Sequence, residues 1–587
     1  MSILASLVRA YERMTDAPAP GYSVEKIGWV IPLREDGSPA GPPIDLRSDE
    51  GKKKAPRQMQ VPASFKRPGT TPRSFFLWDN SAFVLGVTAT EGKDAASRHE
   101  AFRAFHRDIL SGEADPGLIA VLRFLDAWAP DRFTELGWPE EMKDQNVVFA
   151  LDDERRERFI HDRTAAKAAW SRLTAEVAGA EAVCLVTGET APVARLHPAI
   201  KGVSGRQPTG GSIVSFNLDA FNSYGHAQGE NAPVSEYAAF AYTTVLNRFL
   251  DGDSGHRIQI GDAATVFWAE AADGEAAAAA ESAFAWMIDP RTAGDGRIEA
   301  GKVGEVLRRL RDGLPADQAI ADLAGVRFHV LGLAPNAARI SIRFHVENDF
   351  GAIAANHTRF VDELRVEPPP REAPAPLWRY LVETAVLGKR DNVPPNLAGD
   401  WLRAILAGTP HPLTLLSTVL MRIRADGDVN ALRVGMLKAV LIRNFEREAP
   451  VALDPACTDR GYQLGRLFAT YEHVQRAALG AKVNATVKDK YYGAASAQPQ
   501  KVFGLLAAGA ANHLSKVGKA SPGYRVNLEK RLATIMDLMD PGAQPFPPHL
   551  SAEEQAMFAL GYHHQLGDFF RKKDMPDPAD TTATATA

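Results

Sequence analysis

Cysteine is nearly missing from this sequence: two residues, Cys184 and Cys457, in a chain of 587. That excludes a disulfide framework and fits a reducing cytoplasm, where the protein is expected to reside. Structural zinc asks for Cys and His clustered at CxxC-like spacing. The stretch CLVTGE offers Cys184 alone, so no metal is expected and the thiol reads as a small buried hydrophobe. No apolar run reaches about 18 residues, which excludes a membrane-spanning helix. The N-terminal MSILASLVRAYERM has an apolar helical face but no basic segment ahead of an apolar core, so no signal peptide and no membrane partner are expected. HExxH and GxSxG are absent too.

Three stretches come close to catalytic motifs and miss. FHRDIL (105–110) mimics a kinase catalytic loop, but Glu113 stands where the metal-binding Asn belongs and no DFG follows. His161-Asp162 has the look of an HD metal nuclease without further marked ligands. GRQPTGGS (205–212) has the frame of a P-loop, yet Gly211 replaces the lysine that reaches the β- and γ-phosphates. The segment after Ser212, IVSFNLDAF, reads as β-like, whereas a P-loop runs into a helix. Two readings of the loop stay open: a plain structural turn, or a loop whose glycines expose N–H groups to a nucleic-acid backbone.

What is present is an ordinary globular composition, 45% hydrophobic and 24% charged, in a chain too long for one core. The net charge of −5 hides an asymmetry: 421–531 holds 18 Lys/Arg against 9 Asp/Glu, and the remainder carries −14. A basic block in an acidic chain suggests a polyanionic partner. Periodicity predicts helices over 1–15, 94–110, 115–128, 152–178 and 231–250, and strands at WVIPL, FFLWDNSAFVLGV, AVCLVTG (182–188) and ATVFWAE. VRFHVLGLAPNAARISIRFHVEND predicts two strands around an APNAA turn. VEPPPREAPAP (366–376) reads as a stiff linker. Nine helices are predicted beyond it, including 460–479, 483–492, 498–515 and 551–570. The expected fold is therefore an α+β N-terminal and central region followed by an all-α C-terminal helical bundle. The expected domains are 1–180, 181–365 with the Gly-rich loop, and 377–575 with a minimal bundle near 450–575, before a disordered tail at 576–587.

Several long blocks carry a resemblance. SLVRAYERM with FFLWDNSAFVLG, CLVTGE…ARLHPAIKGV, the segment from His197 through Asn247, the hairpin VLGLAPNAARISIRF, and YQLGRLFATYEHVQ…NATVKDKYYGAASAQPQKVF stand in order along nearly the whole chain. Together they resemble the large subunit of the type I-C CRISPR Cascade surveillance complex. The resemblance implies a non-catalytic protein without a cofactor. It would recognise the protospacer-adjacent motif (PAM) in double-stranded target DNA, open the duplex, stabilise the displaced strand and recruit a helicase–nuclease in antiviral defence. Base pairing with the CRISPR RNA then reads the sequence while protein reads the PAM and backbone shape. The implied partners include the Cascade backbone subunits, the subunit that binds the 5′ handle of the guide, and a small subunit translated from an internal start in the same gene. Met421 and Met436 precede the bundle, and a non-Met start near 450 fits equally.

Such a task needs a phosphate clamp, a few base-edge readers and a wedge. Candidates for the DNA and PAM contact are Asn80, Lys201, Arg206, Gln207, Gly210, Gly211, Ser215, Asn217 and Asn222. Candidate phosphate contacts are Lys52, Lys53, Lys54, Lys66, Arg67 and Arg73, and candidate wedge or stacking rings are Phe221 and Tyr224. Lys482, Lys488, Lys490, Lys501, Lys516, Lys519 and Arg525 form the candidate displaced-strand track, with Tyr491 and Tyr492 as rings that either stack on bases or fill the core. The readings that compete with this one are a nuclease or NTPase and a purely structural cap.

Overall fold

The computed structural model describes residues 2–50, 53–65, 67, 71–176, 180–203, 205, 210–216, 218–271, 273–289, 323, 325–337, 339–372, 375–480, 483–540, 542 and 544–571. It is mixed α/β in its N-terminal and central regions and helical from Phe350 onward, as the sequence pattern predicts. The chain divides into two compact units: Met1–Asp251 with Pro335–Ile340, and Gly252–Ala334 with Ser341–Ala587.

The first unit begins with the helix Ile3–Arg13 and carries strands β1 (Tyr22–Ile27), β2 (Trp29–Leu33), β3 (Ile44–Asp45), β4 (Ser48–Glu50), β5 (Lys53–Ala55), β6 (Arg57–Pro62), β7 (Trp78–Asn80) and β8 (Asn146–Leu151). A four-stranded sheet has the order β3-β2-β8-β7, and β2 runs parallel to β8 from Trp29↔Val147 to Leu33↔Leu151. WVIPL, and NVVFAL after its leading Asn146, are apolar because both sheet faces are covered. Alternation sorts the side chains. Trp29, Ile31, Val147 and Phe149 pack with Phe102, Val121 and Phe124 of the helices Ala95–Leu110 and Pro116–Ala127. Val30, Val148 and Trp78 face Ile27, Met59 and Val61 of the antiparallel ribbon β1–β6.

FFLWDNSAFVLGV, expected as one strand, yields only β7 and then the helical turn Ser81–Val84. The Asn80 carboxamide oxygen accepts the Ala82 N–H at 3.1 Å, which caps the turn and ends the strand. Just before it, the Leu77 N–H donates to His106 Nε2 at 2.8 Å, and His106 Nδ1 lies 2.8 Å from the Phe102 carbonyl. The histidine of the HRD-like stretch is thus a fully buried core residue, and burial pushes its pKa down to about 4. The helix expected over 152–178 is a 3-10 turn at Ile160–Asp162 followed by the helix Thr164–Glu176. The strand expected over 182–188 stops at β9 (Glu181–Val183), which pairs with β10 (Thr190–Pro192).

In the second unit an antiparallel sheet runs β11 (Arg257–Ile260), β12 (Ala263–Glu270), β13 (Arg327–Asn336) and β14 (Arg339–Asp349) in sequence order. Its apolar face, with Phe267, Phe328 and Phe344, joins Phe350 and Trp401 of the following helices in one cluster that reaches Phe468 and Phe558. This continuous core is why the units do not follow the boundary expected at 365/366. Likewise the helix Glu236–Phe249 stays with the first unit, where Tyr237 and Phe240 pack edge-on against Tyr11. The Pro-rich 366–376 stretch is docked at its start: Val366 is buried, the Glu367 N–H donates to the Val451 carbonyl at 2.7 Å, and the Pro368 carbonyl lies 3.0 Å from His563 Nε2. The helix Arg460–Leu479 has the bounds its apolar stripe predicts. It lies backbone to backbone against Ala552–Phe570, because a Cβ on Gly465 would sit 2.0 Å from the Phe558 carbonyl oxygen and one on Gly561 would sit 2.1 Å from that of Tyr462. The expected tail, 576–587, lies outside the described residues.

Candidate nucleic-acid interface

The Gly-rich segment is a loop closed at its base. Ile200 and Gly211 exchange both backbone hydrogen bonds, at 2.7 and 2.9 Å. Gly210 takes a φ of +78°, and a Cβ there would lie 2.6 Å from the Ile200 carbonyl oxygen, so the turn accepts only glycine. Gly210 and Gly211 are both buried. They brace the loop, and the Gly211 N–H is already taken. Asn247 ties the loop to the helix Glu236–Phe249: its Oδ1 accepts the Lys201 N–H at 2.7 Å and its Nδ2 donates to the Ala199 carbonyl at 3.0 Å. The Lys201 ammonium reaches out and lies 3.4 Å from both oxygens of the half-buried Glu25 on β1. Arg206, Gln207 and Asn217 lie outside the described residues.

Beyond Gly211 the chain does not continue as the expected strand. Ser212 makes a single bridge to the hairpin tip, where its carbonyl accepts the Ile340 N–H at 3.0 Å, and the chain then bends. Ser215 is half-buried. Asp219–Phe221 forms a 3-10 turn, and the Arg339 guanidinium lies 4.3 Å over the Phe221 ring. Asn222 is exposed at the end of that turn. Next comes a tight reversal, Ser223-Tyr224-Gly225-His226, closed by the His226 N–H donating to the Ser223 carbonyl at 2.9 Å. Its central residues both have positive φ, +52° at Tyr224 and +81° at Gly225. Asn231 staples the reversal, accepting the Ser223 N–H at 2.9 Å and donating to the carbonyls of His226 and Gln228. The Tyr224 side chain projects from this brace with 99% of its surface exposed.

Cys184 is more than a small hydrophobe. Its sulfur accepts the N–H groups of Val186, Thr187 and Ser235 at 3.2–3.5 Å. Burial pushes the thiol up, and the hydrogen bonds from Ser235 and Thr187 outweigh it and bring it to about 7. These bonds fix the turn that joins β9 to β10 and tie it to Ser235 at the start of the helix Glu236–Phe249. His197, in the same stretch, is held 2.7 Å from the Tyr242 hydroxyl, and burial pushes its pKa down to about 4.

The basic loops of the first unit divide by partner. Arg67 is bound to the buried carboxylate of Asp79 and lies over the rings of Phe75 and Phe83 at 3.8 and 4.0 Å. Lys54 pairs with Asp45 at 2.9 Å. Arg73 is exposed, over Phe65 at 4.7 Å. Lys52 and Lys66 lie outside the described residues, as does the Lys53 side chain. Asn80 uses its oxygen as a helix cap, and its amide nitrogen has no partner among the described residues.

In the second unit, Lys501, Lys516 and Lys519 are exposed on the helix Pro499–Ala520, with Lys490 exposed on Val487–Ala497. None of the four makes an ion pair among the described residues. Lys488 is half-buried, Arg525 pairs with Glu529 at 2.8 Å, and Lys482 lies outside the described residues. Tyr492 is core, packed edge-on against Phe468, Phe558 and Tyr562, while Tyr491 packs half-buried against the same cluster. His161, the possible nuclease ligand, is buried, Asp162 caps its own turn by accepting the Phe159 N–H, and no third ligand joins them among the described residues.

Asn231, Asn247 and Arg339 are the positioning residues that sequence reasoning missed. Each acts from far along the chain or by a hydrogen bond that spacing does not encode. No helix among the described residues is long and apolar enough to cross a membrane.

Residues 7–570 match the family model described as CRISPR-associated protein (Cas_Csd1). The chain belongs to that family of CRISPR-associated proteins. No match was found among curated proteins.

Proposed function

We propose that this chain is the non-catalytic large subunit of a type I-C Cascade complex, which recognises the PAM in double-stranded DNA and opens the duplex beside it. The family membership supports the setting, and one observation carries the mechanism. Tyr224 holds an aromatic ring fully in solvent, on a reversal that puts its backbone in the left-handed region. A non-glycine residue there costs about 1–2 kcal/mol, and this one recovers nothing by burial. A rigidly presented, unburied ring suits stacking against a base that has lost its partner.

The remaining groups fit around it. Lys201 and the exposed Arg73 bind phosphates. Asn222, Ser215 and the free amide nitrogen of Asn80 read base edges or sugar. Arg67 keeps its structural ion pair and leaves the phosphate clamp. Lys490, Lys501, Lys516 and Lys519 follow the displaced strand by charge. The CRISPR RNA, backbone subunits, 5′-handle subunit, internally translated small subunit and helicase–nuclease are the proposed partners.

The test is equilibrium binding of the assembled, guide-loaded complex to target duplexes with an intact or a scrambled PAM. The proposal requires PAM-dependent binding that weakens on joint alanine substitution of Lys201, Asn222 and Tyr224. Equal binding by both proteins to both duplexes refutes it in favour of a structural cap. ATP turnover or metal-dependent cleavage by the isolated chain refutes the non-catalytic part.

A further inference from the structure

We propose that His329, His345 and Glu347 form a binding site for one divalent transition-metal ion of the Zn²⁺ and Co²⁺ class. The tetrapeptide Arg-Phe-His-Val occurs twice, at 327–330 on β13 and at 343–346 on β14. In both strands phenylalanine faces the apolar core, so histidine faces the opposite side of the sheet. Pairing of the two strands brings the imidazoles together with ring centroids 5.7 Å apart. Glu347, two residues beyond His345, lies on that same face. One ligand atom from each of the three residues lies within 4.8 Å of the others.

The chemistry of the donors fits an ion better than the bare cluster. His329 is fully buried, its ring stacked on Trp268 at 4.9 Å. Its Nε2 lies 3.1 Å from a Glu270 oxygen. The carboxylate accepts a hydrogen bond from Nε2–H, which leaves a lone pair on Nδ1, and that atom is buried with no partner. Nε2 of His345 is likewise buried with no partner. Two unsatisfied imidazole nitrogens in one place are costly unless something accepts their lone pairs. Burial favours the neutral form of both rings, which is the form that binds metal. A carboxylate behind a ligating histidine is a common outer support of metal sites. One Glu347 oxygen lies 3.4 Å from Arg327, which leaves the other oxygen for the ion.

Imidazole and carboxylate ligands with partial burial select a borderline ion over Mg²⁺ or Ca²⁺. Ligand distances of about 2.0–2.2 Å require the donors to close to roughly 3.4 Å, within reach of side-chain rotation at the exposed Glu347. Three protein ligands leave a fourth position for water. An ion here would clamp β13 to β14. The absence of clustered cysteines hid the site at the sequence level, and the repeated RFHV is the signal that marks it.

The experiment uses the full chain after chelator treatment, titrated with Zn²⁺ by calorimetry and with Co²⁺ by visible absorbance. One equivalent per chain is expected, with a rise in thermal midpoint on saturation. Glu347→Gln, on an exposed strand position, and His345→Gln are each expected to weaken binding at least tenfold and abolish the thermal shift. Glu270→Gln is expected to weaken it about 10–100-fold. His329→Gln is judged only alongside a circular dichroism spectrum, because its ring is core. No saturable binding at micromolar ion, or wild-type binding by both Glu347→Gln and His345→Gln, overturns the assignment.

Discussion

Replacing Tyr224 by glycine separates a cost to the fold from a contribution to DNA opening. The ring is fully exposed, so its removal forfeits no burial. The backbone φ of +52° penalises tyrosine by about 1–2 kcal/mol, and glycine removes that penalty. Glycine also raises the entropy of the unfolded chain, by about 0.5–1 kcal/mol. The two terms nearly offset, and Tyr224→Gly is expected to unfold within about 1 kcal/mol of the wild type. Loss of one aromatic–base stack, by contrast, costs about 1–3 kcal/mol, roughly a 5- to 150-fold smaller equilibrium constant for the opened state. The assay is 2-aminopurine fluorescence at the first target base beside the PAM, with the assembled complex in excess. Tyr224→Phe retains the ring and is expected to open the duplex like wild type. A duplex already mispaired at that step is expected to restore Tyr224→Gly. If Tyr224→Gly gives the wild-type amplitude on a fully paired duplex, the wedge reasoning is wrong.

Arg67→Ala leaves the buried Asp79 carboxylate without its cation and strips the guanidinium from two rings, so urea denaturation is expected to show a loss of about 3–5 kcal/mol; less than 1 kcal/mol would return Arg67 to the DNA-contact candidates. Reversing Lys501, Lys516 and Lys519 to glutamate together is expected to weaken target binding by the complex and to reduce the slope of log K against log salt by roughly 0.7 per lost phosphate contact; an unchanged slope would remove that helix from the displaced-strand path. His106 is fully buried and His357 is half-buried, and burial depresses each to about 4 from an ordinary value of 6.5. Their neutral forms support the fold fully above pH 6.5, and that support is lost as pH falls from 6.5 through 4, about 3 kcal/mol for each. Denaturation midpoints measured from pH 7.5 to 4.5 should fall steadily over that window, and a flat profile would contradict the burial of these rings.

The elements legible in the sequence are those whose residues speak locally. WVIPL is a strand to the residue, and the stripe through Leu464, Leu467, Tyr471 and Val474 gives the bounds of its helix. What escaped depends on partners distant in sequence. The Gly-rich loop reads as an open cradle, yet Ile200 takes the Gly211 N–H and a Gly210 Cβ would strike the Ile200 carbonyl. FFLWDNSAFVLGV has β composition throughout, but one capping carboxamide, Asn80, turns it into a helix. Within the candidate site, Tyr224 was visible as an aromatic residue. Its exposure follows from Asn231, which no spacing rule connects to it. The proline-rich stretch looks like a spacer because its proline content is local information, whereas its docking against Val451 and His563 is not.

The first unit owes its last piece, Pro335–Ile340, to a part of the chain made long after Asp251. During synthesis at roughly 5–20 residues per second, the ribosome needs about 4–17 s to cover that interval. Until then Ser212 lacks its bridge to Ile340 and Phe221 lacks the cation that lies over it. The Gly-rich loop and the reversal that presents Tyr224 are therefore finished late, whereas the β2–β8 sheet and its helices are complete by residue 151 and can form early. A translational pause between 252 and 340 would prolong the half-built loop while leaving the sheet untouched.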